Sequence, residues 1–438
     1  MKVGIFDEVN SAVYSVRMAY ERYSNLSLED REEIIEAIRV RLNEHIELLA
    51  EMTVEETGMG NIPDKITKLY AAINKTPGLE DLITEVKTGD RGMTLYELSS
   101  FGVVCAMEPV TSPAASIINH TIGFLAAGNA VFICPNPRAV KVSNYVTSLI
   151  SNAIVEACGI DNLVVSLDES NISLMQEVMH HPDIDMIVCN AGEAATKGAM
   201  ACGKKVIGEG ASNAVALVDE TADVVKAAFD IVSSASFDNN LIHTSEKAIV
   251  AVEEIASVLE ETFEKTGAMV IKNQEQMLRL SGLLLREDLK PRRKWIGKSA
   301  KEILDAVGIA HDENVKLIVV ETIYQHPFVI NEMRVPLVPL VKVADYRSGL
   351  KLMLEIEQRY KHTAVLHSTL IDRLNEAAKK LQTAVFVKNG PSIAGVGLLI
   401  PNNPFTLTVA NATGEGVLTA RHFTRRRKCM LTNGFSIR

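Results

Sequence analysis

Gly102-Val103-Val104-Cys105-Ala106-Met107 and Ala130-Val131-Phe132-Ile133-Cys134 are short, continuous apolar runs, and Ile117-Ile118 to Leu125-Ala126-Ala127 between them keeps helical spacing. Runs of this length predict strands buried on both faces. The rhythm goes on through a helix from Ser143 to Ala157 and the runs Leu163–Leu167, Met186–Cys189 and Lys205–Gly208. Strands alternating with helices predict a parallel sheet covered on both sides. A second alternating unit starts near Val215-Ala216-Leu217-Val218 and includes Ala248–Val252, Leu317–Val320 and Ala384–Val387. The join at Glu209 to Asn213 is therefore a candidate domain boundary, and the crevice there a candidate ligand site.

Upstream of the first strand, apolar residues from Asp7 to Thr57 recur at helical spacing, and Ser27 with Asp30 forms a variant capping box. From Leu82 to Leu98 the pattern changes to two-residue alternation broken by Gly89-Asp90-Arg91-Gly92, which predicts a hairpin. At 438 residues the chain exceeds what one core supports, so two or more domains are expected.

A net charge of -10 excludes general affinity for nucleic acid, and the one basic run, Arg425 to Lys428, reads as a solvated or subunit-facing strand. Six scattered cysteines, without a CxxC, suggest a reducing cytoplasm and no metal site. No apolar stretch reaches the ~18 residues of a membrane span, and the N-terminus lacks the features of an export signal, so no membrane partner is expected.

No GxGxxG follows a predicted strand. The loop Cys189-Asn190-Ala191-Gly192 does precede a predicted helix, whose amides could face a pyrophosphate. His180-His181, His326 and His362 read as surface or satisfied core residues. On its own so does His243, which follows Leu241-Ile242 near the start of a predicted strand.

Taken together, "FGVVCAMEP" at 101–109, "LAAGNAVF" at 125–132, "GKKVIGEG" at 203–210, "VDETADVVKAA" at 218–228, "SFDNN" at 236–240, "HPFVINEM" at 326–333, "FVKNGPSIAG" at 386–395 and "TGEGVLTAR" at 413–421 resemble the aldehyde dehydrogenase superfamily. The similarity is to its CoA-acylating branch, the acetaldehyde and propionaldehyde dehydrogenases of bacterial microcompartments. The resemblance implies an α/β fold of two parallel-sheet domains with a small β arm. Residues 1–81 and 101–210 would form a Rossmann-like cofactor domain, 211–410 a catalytic domain, and 82–100 with 411–438 an arm for homo- or hetero-oligomers. It also implies NAD as cofactor, CoA and a short-chain aldehyde as substrates, and a place in the cytoplasm or a microcompartment lumen. Pro109, Asn136, Asn190, Gly192, Gly208 and Glu332 are the cofactor-binding candidates that follow from it.

The family chemistry needs a cysteine thiolate that attacks the aldehyde and later carries the acyl group. Where the pattern NN-x-x-Cys would put it, this chain has His243, and no cysteine lies between Cys202 and Cys429. Ser112 stands where the family commonly has asparagine, a donor to the aldehyde oxygen. A glycine pair becomes Ala191-Gly192, and a glycine-rich stretch becomes Leu399 to Pro404. Glu209 falls where hydrolytic members place a general base, so with His243 it forms either an acid-base pair or a compensating contact. The resemblance thus leaves two functions open: a silent or impaired family member, and an active oxidoreductase working through Glu209 and His243.

Overall fold

The computed structural model describes residues 3–400 and 403–436, so Pro401 and Asn402 of the altered stretch lie outside the described residues. Six parallel strands build the first sheet, in the order Ile5–Phe6, Val164–Leu167, Ala130–Cys134, Val103–Met107, Met186–Cys189 and Lys205–Gly208. The central runs are buried at every residue because helices cover both faces. Helices Val9–Tyr23, Leu28–Asn43, Ile46–Thr57 and Ile62–Asn74 form the N-terminal layer, and the Ser27–Asp30 capping box is present with both of its bonds.

Seven parallel strands build the second sheet, in the order Ala268–Ile271, Leu317–Glu321, Leu337–Val343, Ala248–Val252, Val215–Val218, Thr363–His367 and Val385–Lys388. Alternation along its strands divides its core: Ala216 and Val218 face one helical layer, Val215 and Leu217 the other. Three of these strands, Ala268–Ile271, Leu337–Val343 and Thr363–His367, go beyond the runs picked out by periodicity. His180 is the last residue of the helix Ile172–His180 and is exposed.

The hairpin forms with Glu85–Gly89 against Gly92–Ser100, and Thr424–Thr432 adds antiparallel to its other side. The basic run lies on this last strand and is exposed. Arg426 is partly used within the arm, lying over the Tyr96 ring and pairing with Glu85. From Ile393 to Phe423 the chain crosses back, and Val396, Phe405, Val409 and Ala420 pack into the first core. This return puts the segment after the last second-sheet strand against the carboxyl edge of the first sheet. Among the described residues no helix is long and apolar enough to cross a membrane.

Candidate active site

The first sheet reverses strand order beside Val103–Met107: the chain goes from there to Ala130–Cys134 on one side, and Met186–Cys189 lies on the other. Ligands of open α/β sheets bind at such a switch point. A narrow cleft opens there, lined by Pro109, Thr111 and Ser112 after one strand and Asn190 after the other. Glu209, just past Lys205–Gly208, joins them, as do His243 and the apolar Val396, Leu407 and Val409.

His243 is carried by a loop of unusual backbone. Asp238, Asn239 and Asn240 have φ of 49°, 55° and 63°, three consecutive left-handed residues. Asp and Asn tolerate this region better than other residues with a Cβ, which is the local reason for the sequence Asp-Asn-Asn. Lys247 braces the loop from behind, its ammonium donating to the carbonyls of Asn240 and Ile242 at 2.8 Å and to the Asn240 side chain. Asn240 in turn donates to the carbonyls of Ala235 and Glu246. Burial pulls the Lys247 amine down to about 7 and pushes the Glu246 carboxyl up to about 7.

At the tip of the loop, His243 Nδ1 lies 3.4 Å from Glu209 Oε1 and 3.4 Å from Glu332 Oε1. Neither approach is aligned as a hydrogen bond, so Nδ1 is buried without a partner among the described residues; the other Glu209 oxygen, Oε2, has none either. Burial would raise the Glu209 carboxyl, but His243 and His362 more than offset it and hold it below the ordinary carboxylate value. Glu332 is held further below, against its burial, chiefly by Arg334 and then by His243. Arg334 donates to Glu332 Oε2 from two nitrogens at 2.9 and 2.7 Å, and Ser212 donates to Oε1 at 2.9 Å.

Five of the expected residues, Pro109, Ser112, Asn190, Glu209 and His243, thus share one cleft, and Glu332 reaches it through His243. Three lie apart. Asn136 follows Ala130–Cys134 and accepts from the Arg138 amide at 3.1 Å. Gly192 precedes the helix Glu193–Met200 with φ 97°, and nothing stands within 4 Å of where a Cβ would be. Gly208 is different: a Cβ there would meet Thr196 Cγ2 at 2.4 Å, so this glycine lets a helix side chain pack on the strand.

Periodicity alone missed three participants. His362, discounted as a surface or satisfied core residue, is fully buried, with Nε2 3.4 Å from Glu209 Oε1 and Nδ1 2.9 Å from Thr363 Oγ1. Lys65 and Lys68 are buried behind Ser112, and both pair with Asp238. A signal existed for the lysines: with Leu69 and Ala72 they fall on one helical face, at i, i+3, i+4 and i+7. Burial brings Lys65 down to about 7, with Asp238 opposing the shift.

Two parallel-sheet α/β units with a cleft at the switch point of the first, closed by loops at the amino ends of strands of the second, define the class of architecture. The chain belongs to the aldehyde dehydrogenase family, whose family model matches residues 4–401. A CoA-propanoylating propanal dehydrogenase from Salmonella typhimurium is 44% identical over 437 residues, 99% of this chain and 93% of that protein. The crystal structure of Rhodopseudomonas palustris propionaldehyde dehydrogenase with bound CoA and an acylated cysteine matches with a TM-score of 0.97 at 41% identity, covering 99% of both chains. A propionaldehyde dehydrogenase from the Clostridium phytofermentans fucose utilisation bacterial microcompartment matches with a TM-score of 0.97 at 38% identity, covering 100% of both. The family and fold expected from the eight motifs are those of the chain, and these relatives are CoA-acylating enzymes or propionaldehyde dehydrogenases.

Proposed function

We propose that this chain is an aldehyde dehydrogenase of the CoA-acylating type in which the acyl-transfer route is impaired or silent. That route converts a short-chain aldehyde, CoA and NAD to acyl-CoA and NADH. The observation that carries the reading is the imidazole of His243, set between Glu209 and Glu332 at 3.4 Å from each, in a cleft lined by no cysteine among the described residues. A thiolate is both a strong nucleophile and a carrier whose thioester stays open to a second thiol; an imidazole with its Nδ1 between two carboxylates does not take over both tasks.

The turn before the helix Glu193–Met200 supports the cofactor half of the reading. The open face of Gly192 at the start of Glu193–Met200 suits a pyrophosphate, with Asn190 beside it and the Arg334-anchored Glu332 placed to take a ribose hydroxyl. Bound there, NAD would accept the hydride that leaves the aldehyde carbon. The 211–410 range is read as the catalytic domain, 1–81 with 101–210 as the cofactor domain, and 82–100 with 411–438 as the oligomerisation arm. Such an arm suits homo- or hetero-oligomers with active relatives, and the microcompartment origin of one structural neighbour supports an encapsulated setting within the cytoplasm.

One observation favours a second reading, an active oxidoreductase using altered residues. Glu209 lies within reach of His243 and its carboxyl is held ionised, as a general base or its partner requires.

His243→Cys separates these readings. CoA-dependent reduction of NAD with propanal or acetaldehyde is expected to appear in the variant and to be absent from the parent protein. Turnover by the parent that is abolished in His243→Ala would overturn the silent reading, and silence of His243→Cys would overturn the view that only the nucleophile is missing.

A further inference from the structure

Ser112 is the residue before the helix Pro113–Ala126, a position where a serine side chain ordinarily accepts from an amide of the first turn. It makes no such bond. Its oxygen instead contacts Lys68 Nζ, and the lysine is fully buried. An ammonium carries donors only, so the serine oxygen is the acceptor in this contact and its own O–H points elsewhere. Among the described residues no protein acceptor for that O–H is found.

Ser112 forms the wall between two spaces. Behind it is a small cavity lined by Lys65, Lys68 and Leu69; in front is the cleft of His243. The lysine cannot swing away, because Asp238 holds it, and the same carboxylate oxygen takes Lys65 at 2.9 Å. Lys65 also donates to the Thr111 carbonyl at 2.6 Å, which fixes the backbone next to Ser112. Two amines thus share one carboxylate immediately behind a hydroxyl that faces the cleft.

We infer that Lys68 is a positioning residue: it occupies the acceptor side of Ser112 and so commits the Ser112 hydroxyl to donate into the cleft, to the carbonyl oxygen of a short aliphatic carbonyl compound. Asp238 then has two tasks, shaping the left-handed loop that carries His243 and anchoring the lysine that orients Ser112. The inference rests on reading the cleft as the aldehyde site. It does not depend on whether the chain turns over, because a donor binds a carbonyl whether or not a nucleophile is present.

Propanamide labelled with carbon-13 at the carbonyl is the probe, an uncharged and unreactive analogue that avoids repulsion by Glu209 and Glu332. Its dissociation constant and bound carbonyl shift are measured by NMR on the full chain. Ser112→Ala and Lys68→Met are each expected to weaken binding by about 3- to 10-fold, the worth of one net hydrogen bond. The double variant should bind no worse than either single one. In a Ser112→Asn background Lys68→Met should cost less than about 2-fold, because an amide brings its own N–H and needs no lysine to orient it.

Equal losses from Lys68→Met in the Ser112 and Ser112→Ala backgrounds would assign the lysine a purely structural role and overturn the inference. Ser112→Ala binding propanamide as well as the parent, or a parent that binds none, would overturn it even if Lys68→Met fails to fold. Restored turnover in His243→Cys with no Ser112 dependence of propanamide binding would keep the proposed function and remove the role of Lys68. The reverse pair of results would keep Lys68 and remove the view that only the nucleophile is missing.

Discussion

Two buried polar clusters meet at Ser112, and they are held in opposite ways. Behind it, Asp238 Oδ2 is in direct contact with both Lys65 and Lys68, and the loop that follows is tied down by Lys247. In front of it, His243 stands 3.4 Å from two carboxylates and is aligned with neither, while Glu209 Oε2 has no partner among the described residues. Buried polar atoms are nearly always satisfied, so the contrast separates scaffold from working surface. The loop that presents position 243 keeps its supports, while His243 Nδ1 and Glu209 Oε2 at the cleft are left over, as is Glu246 Oε2 at the back of the loop. The frame around position 243 is intact on the side of Asp238 and Lys247.

Asp238→Asn should have the largest effect. It keeps a residue that tolerates the left-handed backbone but removes the one carboxylate that two buried amines share. Breaking a buried pair in this way costs about 3–5 kcal/mol, to be read as a lowered urea midpoint. A shift of less than about 1 kcal/mol would mean that the two clusters are not held differently.

Glu246, at the back of the same loop, tests an intermediate case. Ser392 N donates to one of its oxygens at 2.9 Å and the other has no partner among the described residues. Burial raises its carboxyl to about 7 from an ordinary 4.5. As pH rises from 4.5 to 7 the unfolded chain therefore loses this proton while the folded chain keeps it, and stability falls. Glu246→Gln should remove that fall, so relative to the parent it gains on the order of 1–3 kcal/mol between pH 5 and pH 8. Parallel stability curves for the two proteins over this range would contradict the assignment.

Glu209→Gln should have the smallest effect on stability, within about 1 kcal/mol of the parent at pH 7. It discards the unaligned approach of His243 and replaces a charged acceptor of the long 3.4 Å His362 contact by an amide oxygen, while also removing a buried charge. The Glu209 backbone stays in place through Thr196, which donates to its carbonyl at 2.7 Å. A loss as large as that of Asp238→Asn would place Glu209 in the scaffold, and the comparison would fail.

Most of the first sheet was legible because its strands are buried on both faces, so Ala130–Cys134 and Met186–Cys189 appear as uninterrupted apolar runs. The strand Leu337–Val343 was harder to see, since Pro339 interrupts it and Lys342 follows. Thr363–His367 was masked by the polar residues at its two ends. In the site, Ser112, Glu209, His243 and Glu332 could be picked out because each sits in a motif with a recognisable pattern. His362 could not, since nothing in its neighbours along the chain marks it, and only the pairing of Thr363–His367 beside Val215–Val218 brings it near Glu209.

By itself the sequence determined the parallel α/β architecture, the hairpin and the family, because these depend on local periodicity and on ordered motifs. It also determined that His243 follows the Asn239-Asn240 pair and that no cysteine lies between Cys202 and Cys429. Tertiary structure alone decided what surrounds that histidine: Glu209 comes from the end of a first-sheet strand, Glu332 from a loop of the second unit, and His362 from the residue before the strand Thr363–His367. These groups are far apart in the chain, and distance between side chains, which sets both charge interaction and hydrogen bonding, is fixed only when the sheets and helices pack.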